Sequence, residues 1–121
     1  MLVVALLSIA VPDRGACPAP TSWITAVPEP GDAAYVVIRK EGSGLTWNHE
    51  RFKDRIIEQY LSNYRGMPPH PRLIVDTREM DCATFKKIVA MFERSGVSCI
   101  EAPCIAAALP KGAFPEPPPP F

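Results

Sequence analysis

The chain has 121 residues, and its 13 Lys and Arg residues balance its 13 Asp and Glu residues. This length gives room for one domain with a modest core. A net charge of zero argues against a surface that follows nucleic-acid phosphates, so we expect no nucleic-acid partner. Proline numbers 15 in all, yet only three prolines lie between Gly31 and Pro103. The folded unit is therefore predicted at about 33–103, because proline fixes φ and removes a backbone donor.

This uneven composition divides the chain into four segments. Residues 1–16 are an apolar N-terminal segment, 17–32 are a proline-rich linker, and 33–103 are the folded domain. Residues 104–121 are a proline-rich tail that we expect to be disordered, because such a sequence favours extended polyproline conformations.

The N-terminal run MLVVALLSIAV is about half the ~20 residues that a membrane-spanning helix needs. It has the length of the apolar part of a signal peptide, but no Lys or Arg precedes it. It is a degenerate signal, the outer half of a membrane helix or a buried strand, and we favour the first two. Either of these would place the following domain outside the cytoplasm.

The first half of the domain predicts a β-hairpin followed by a helix. Residues 34–39 are β-branched and aromatic, KEGSG provides a turn with two glycines, and 45–47 suffice for a short return strand. Asn48 suits the N-cap of a helix, and Glu50 would complement its dipole. The helix is expected to run from 49 to about 64, since apolar side chains recur there every four residues.

The second half predicts a strand, a helix and a closing strand. Residues 72–76 read RLIVD, an apolar strand that ends in an acid. A helix capped by Asp81 is expected to run to about Arg94, with Gly96 just beyond its end. Residues 98–102 would form the last strand.

These elements predict an α+β fold with α/β-like character and the order β-β-α-β-α-β. We expect a small mixed sheet of four strands with both helices on one face. The other face would be less covered, and there a partner or a second copy would dock.

The four cysteines, Cys17, Cys82, Cys99 and Cys104, lack the spacing of a metal site. A Cys99–Cys104 disulfide would fit an oxidising compartment, but we expect single buried or partly exposed thiols. Cys82 lies near a helix N-terminus, where the pKa of a thiol can fall. Since the residue pattern of a thioredoxin-like pair is missing, we interpret it as a structural thiol.

Asp76 is the first candidate for a functional site, because ligands gather at the carboxyl ends of parallel strands. Thr77 and Asp81 lie in the same loop. No nucleophile–base pair accompanies them, so we favour a loop acid and a helix cap over a catalytic centre. Asp76, Thr77 and Asp81 remain candidates for binding or interface contacts, with no catalytic residue, cofactor or metal expected. The alternative is a small α/β enzyme that uses Asp76 and Cys82.

Three motifs together resemble the periplasmic domain of the ExbD/TolR family. Gly42 or Gly44 with Trp47-Asn48 matches the family's "dG…yvNg" hairpin, and Val75-Asp76 matches a strand that ends in Ala-Asp. KIVAM with the following SGV matches the "vv.vm…..aG" helix. The resemblance covers about 34–102. It departs from the family at Asp81-Cys82, where Pro-Tyr is customary, and in residues 1–12, which lack the family's membrane Asp.

This resemblance implies a non-enzymatic component of a transport or energy-transduction complex driven by proton-motive force. It implies a single-pass protein of the inner membrane with its domain in the periplasm, or a periplasmic or secreted chain if 1–16 is a signal. The implied partners are a second copy in a homodimer, an ExbB/TolQ-like motor protein, and a TonB/TolA-like partner or peptidoglycan. The alternative is a stand-alone periplasmic or secreted interaction module.

Overall fold

The computed structural model describes residues 17–29, 31, 34–64, 70–100 and 102–115, so the predicted apolar segment 1–16 lies outside the described residues. The elements, in chain order, are β1 Tyr35–Glu41, β2 Gly44–Trp47, β3 Glu50–Phe52, α1 Asp54–Asn63, β4 Arg72–Asp76, α2 Cys82–Ser95 and β5 Cys104–Ala107.

The strands form one mixed sheet in the order β3-β2-β1-β4-β5. β1, β2 and β3 are antiparallel neighbours, whereas β4 runs parallel to both β1 and β5. The predicted α+β class, the mixed sheet and the two helices are confirmed. The predicted number of four strands is wrong, because the sheet has five.

The additional strand is β3, whose residues fall at the start of the predicted first helix. Asn48 and His49 both have positive φ, 50° and 59°, and make a two-residue turn between β2 and β3. The Val37 N–H donates to Asn48 Oδ1 and the Asn48 N–H donates to the Val37 carbonyl, both at 2.9 Å. Asn48 is therefore a turn residue and no helix cap, and α1 begins at Asp54.

Both helices pack on one face of the sheet, as predicted. Ile57 and Leu61 of α1 and Phe85 and Ile88 of α2 are buried there against β1, β2 and β4. α2 follows its sequence signals closely, with Asp81 at its N-cap and Gly96 in the left-handed conformation at its end, φ 80°. Ion pairs between the helices add exposed contacts, among them Arg94 Nη2 to Glu58 Oε1 at 2.9 Å.

The closing strand lies at Cys104–Ala107, and the predicted strand at 98–102 is wrong. Instead, the Ala102 N–H donates to the Ser98 carbonyl at 2.8 Å, a hydrogen bond typical of a turn. The Cys99–Cys104 disulfide closes this loop. A covalent link over five positions is incompatible with an extended strand there.

The opposite face of the sheet is covered by the residues after β5. Leu109 and Phe114 are buried there against Val37, Ile74 and Ile105. The assignment of 104–121 to a disordered tail is therefore wrong for 104–115, because β5 and two core side chains belong to it. The same residues cover part of the face on which we expected a partner or a second copy to dock.

The segment 17–24, which we call the strap, lies against α2 and the edge of β5. Trp23 is 8 % exposed and its ring meets Phe85 and Phe92, with centroid distances of 5.9 and 4.8 Å. The Ile24 N–H donates to the Cys104 carbonyl at 2.9 Å and extends the sheet by one bridge. The predicted linker 17–32 thus contributes to the core.

All four cysteines are disulfide-bonded, as Cys17–Cys82 and Cys99–Cys104. The expectation of single thiols is wrong. Pairings cannot be deduced from spacing when the partners are 65 positions apart, as Cys17 and Cys82 are.

Candidate functional site

The candidate residues lie where β4 ends and α2 begins. Asp76 closes β4 and is 4 % exposed. Its Oδ2 accepts a hydrogen bond from Arg39 Nη1 at 2.6 Å, and the two side chains form an ion pair. Its Oδ1 accepts the backbone N–H groups of Arg78 and Leu109, each at 3.1 Å. Both oxygens are thus engaged by groups of the same chain, as a loop acid would be.

The Asp76 carboxylate connects three parts of the molecule. Arg39 comes from β1, Arg78 from the loop before α2, and Leu109 from the segment that covers the opposite face. A buried carboxylate with this set of donors holds those parts in register, since removing it would take away an acceptor that all three share. Asp76 therefore organises the end of the sheet.

Thr77 acts through its backbone. Its N–H donates to the Ala107 carbonyl at 3.0 Å, which continues the ladder between β4 and β5. Its carbonyl accepts the Met80 N–H at 3.1 Å and closes a turn over 77–80. The Thr77 side chain is half-buried, so this residue shapes the loop that leads to α2.

Asp81 is the exposed member of the three candidates. Hydrogen bonding to the Thr84 side chain lowers the pKa of the Asp81 carboxyl below its ordinary value of 3.8, and the positive charge of Lys40 acts in the same direction. Lys40 Nζ lies 3.8 Å from Asp81 Oδ1. Asp81 is therefore a carboxylate at neutral pH, at the positive end of the α2 dipole.

A shallow depression of about 180 Å³ adjoins these residues. It is lined by charged side chains of both signs, namely Arg39, Lys40, Asp76, Arg78 and Glu79. The opposed charges suit contact with a polar surface. Cys82 lies next in the chain after Asp81 but is bonded to Cys17 and does not titrate. Within the part of the chain that is described, no three His, Cys, Asp or Glu residues are placed to hold a metal ion.

Sequence reasoning missed two residues of this site. The sequence predicts Arg39 only as the end of a strand, although a parallel register that pairs Ile38 with Val75 brings it beside Asp76. Leu109 falls in the predicted tail. A parallel pairing of the two apolar strands could have indicated Arg39, whereas nothing in the sequence signals the backbone N–H of Leu109.

The described residues include no helix long and apolar enough to cross a membrane. Comparisons with protein-family models, curated proteins and solved structures found no match.

Proposed function

We propose that this chain is an ExbD/TolR-like protein that acts through its domain outside the cytoplasm. It would be a non-enzymatic component of an inner-membrane complex that uses the proton-motive force for transport or energy transduction. The observation that carries the proposal is where the family-like motifs lie in the fold.

Each motif residue that a turn requires has a left-handed backbone in this structure. Gly42, between β1 and β2, has φ 62°, Asn48 has φ 50°, and Gly96 after α2 has φ 80°. The family pattern has Gly, Asn and Gly at the corresponding points. Because non-glycine residues rarely adopt such angles, three coincidences between motif and backbone support the resemblance. They also favour Gly42 over Gly44 as the glycine of the hairpin.

The cysteines support a location of the domain outside the cytoplasm. Two disulfides in a domain of this size are typical of oxidising compartments and rare in the cytosol. This agrees with a periplasmic location for the domain, with residues 1–16 serving as a membrane segment or a signal.

An enzyme that uses Asp76 and Cys82 is less well supported. The Asp76 oxygens already accept three hydrogen bonds from groups of the same chain. Cys82 would have to leave its disulfide before it could act as a nucleophile. We therefore assign Asp76 to the architecture, and Asp81 with its charged neighbours to an exposed surface for polar contacts.

The proposal predicts partners that can be isolated. The full chain, tagged at its C-terminus and produced from its own locus, would be extracted from membranes in mild detergent. We expect a polytopic ExbB/TolQ-like protein to co-purify, together with a second copy of the chain. Free-thiol alkylation of intact cells should leave all four cysteines unlabelled until a reductant is added.

Two results would redirect the assignment. Release of the whole population by osmotic shock, with no membrane partner, would favour the stand-alone periplasmic module. Alkylation without reductant would refute the location outside the cytoplasm. The matched control is a tagged chain carrying Leu73→Asp, which places a charge in the core and should lose every specific partner.

A further inference from the structure

The Cys17–Cys82 disulfide fixes where the N-terminal segment meets the domain. Cys82 is the first residue of α2, and its Cα lies 5.3 Å from that of Cys17. Asp81 precedes it and lies beside Lys40 of β1. Whatever precedes Cys17 in the chain therefore joins the domain at the edge that holds the N-terminus of α2.

The length of the intervening chain limits how far this edge can be from the apolar run 1–11. Residues 12–16 form the spacer, and an extended chain advances at most about 3.5 Å per residue, so the spacer reaches roughly 20 Å. Without the disulfide, the next buried anchor is Trp23. The spacer would then comprise residues 12–22 and reach roughly 40 Å. The disulfide halves the reach.

The opposite end of the domain carries a different surface. α2 has 14 residues, which corresponds to about 21 Å of helix. Beyond it comes the loop closed by Cys99–Cys104, beside the start of β4, where the Leu73 N–H donates to the Pro103 carbonyl at 2.8 Å. Ile100 in this loop is 87 % exposed. A braced loop with an exposed apolar side chain is suited to contact another protein.

We propose that the domain is held at a lipid surface with the N-terminus of α2 toward the headgroups and the Cys99–Cys104 loop away from them. The Cys17–Cys82 disulfide limits the distance between the domain and the lipid surface. This inference rests on the proposed function for the insertion of residues 1–11 into a membrane, and it adds an orientation and a reach. Charged side chains of both signs near α2, such as Lys40, Arg78 and Glu79, suit the headgroup layer.

Energy transfer to lipid tests the orientation. The full chain is reconstituted in vesicles of phosphatidylethanolamine and phosphatidylglycerol that contain an acceptor-labelled lipid. A fluorescent amino acid is placed at position 79 or at position 100, both of which are exposed. Because about 20 Å separates the two ends of α2, we expect roughly twofold more transfer from position 79 than from position 100.

Variants that lack a disulfide test whether the Cys17–Cys82 bond limits the reach of the spacer. With Cys17→Ser and Cys82→Ser together, the ratio of the two transfers should fall toward one, since the longer spacer permits many orientations. The matched control, Cys99→Ser with Cys104→Ser, should keep the twofold ratio. Circular dichroism shows whether each variant is folded under the assay conditions. If a variant is unfolded, the comparison of positions 79 and 100 in the oxidised chain decides the orientation alone.

Each unfavourable outcome of these experiments overturns a different claim. A chain that does not float with the vesicles overturns this inference together with the membrane anchoring in the proposed function. A chain that floats but transfers equally from both positions overturns the orientation and leaves the proposed function standing. An unchanged ratio in the folded Cys17 and Cys82 variant overturns the role given to the disulfide.

Discussion

The two faces of the sheet are covered by different means. α1 and α2 cover one face with side chains at helical spacing, and Trp23 of the strap fills the remaining space. The other face is covered by residues 109–115, which form no helix or strand. An irregular segment must satisfy its backbone polar groups individually. This explains why it depends on particular anchors, among them Asp76 for the Leu109 N–H and Phe114 for apolar contact.

Among the substitutions considered for the two faces, one in the strap should have the largest effect. Trp23→Ala removes a buried ring that contacts Phe85 and Phe92, and should lower the free energy of unfolding by about 4 kcal/mol. Trp23→Phe, which keeps a ring, should lose less than half of that. Urea unfolding followed by circular dichroism measures both. A loss below about 1 kcal/mol for Trp23→Ala would mean that the strap is peripheral to the core.

A substitution at Phe114 tests how much its ring stabilises the segment that covers the opposite face. Its ring meets Tyr35 edge-on at 5.1 Å, and the Arg72 guanidinium lies 5.6 Å from its centroid. Phe114→Ala should cost about 3 kcal/mol, less than Trp23→Ala, because an irregular segment can relax into the space. Phe114→Leu is the control that keeps apolar volume. Hydrogen exchange at Leu109 should accelerate in Phe114→Ala, and an unchanged rate would show that the segment is held independently of Phe114.

Asp76→Asn tests the polar anchor of the segment that covers the opposite face. The amide keeps one acceptor oxygen but loses the charge opposite Arg39, whose side chain is 29 % exposed. We expect a loss of about 2 kcal/mol, below the range for fully buried pairs, because solvent screens the guanidinium in part. Combining Asp76→Asn with Arg39→Gln in a double-mutant cycle measures the coupling. Additive losses would show that the ion pair contributes nothing beyond its separate parts.

Local signals predicted the parts of the fold that depend on local interactions. β4 and α2 follow from an apolar run, a helical period, Asp81 and Gly96, each of which acts on its own neighbours. The turn at Asn48 was misassigned because the same residue type favours both helix caps and left-handed turns. Local preference alone cannot separate the two, since the choice depends on pairing with β1.

The parts of the fold that the sequence did not predict depend on long-range contacts. Trp23 lies in the predicted proline-rich linker and Phe114 in the predicted disordered tail, yet each is buried against residues far away in the chain. The Cys17–Cys82 pairing depends on the same distant contacts, whereas Cys99 and Cys104 are near enough in the chain for their pairing to be considered from the sequence. In the candidate site, Asp76 was identified from its strand end, while its partners Arg39 and Leu109 become visible only when three chain segments meet.

The smallest expected effect concerns the exposed edge near α2 and appears in a pKa. Thr84→Ala removes the hydrogen bond that contributes most to the lowered pKa of Asp81, so this pKa should rise toward its ordinary value of 3.8. Because the pKa of Asp81 is lower in the folded state, its ionised carboxylate stabilises the fold fully above the ordinary pKa of 3.8. This contribution is lost as the pH falls through the lowered pKa of the folded state.

Thr84→Ser, which keeps the hydroxyl, should preserve the lowered pKa of Asp81. An NMR titration of the Asp81 carboxyl between pH 2 and pH 6 measures it. If Thr84→Ala titrates like the parent chain, the Lys40 charge and the helix dipole hold Asp81 ionised instead.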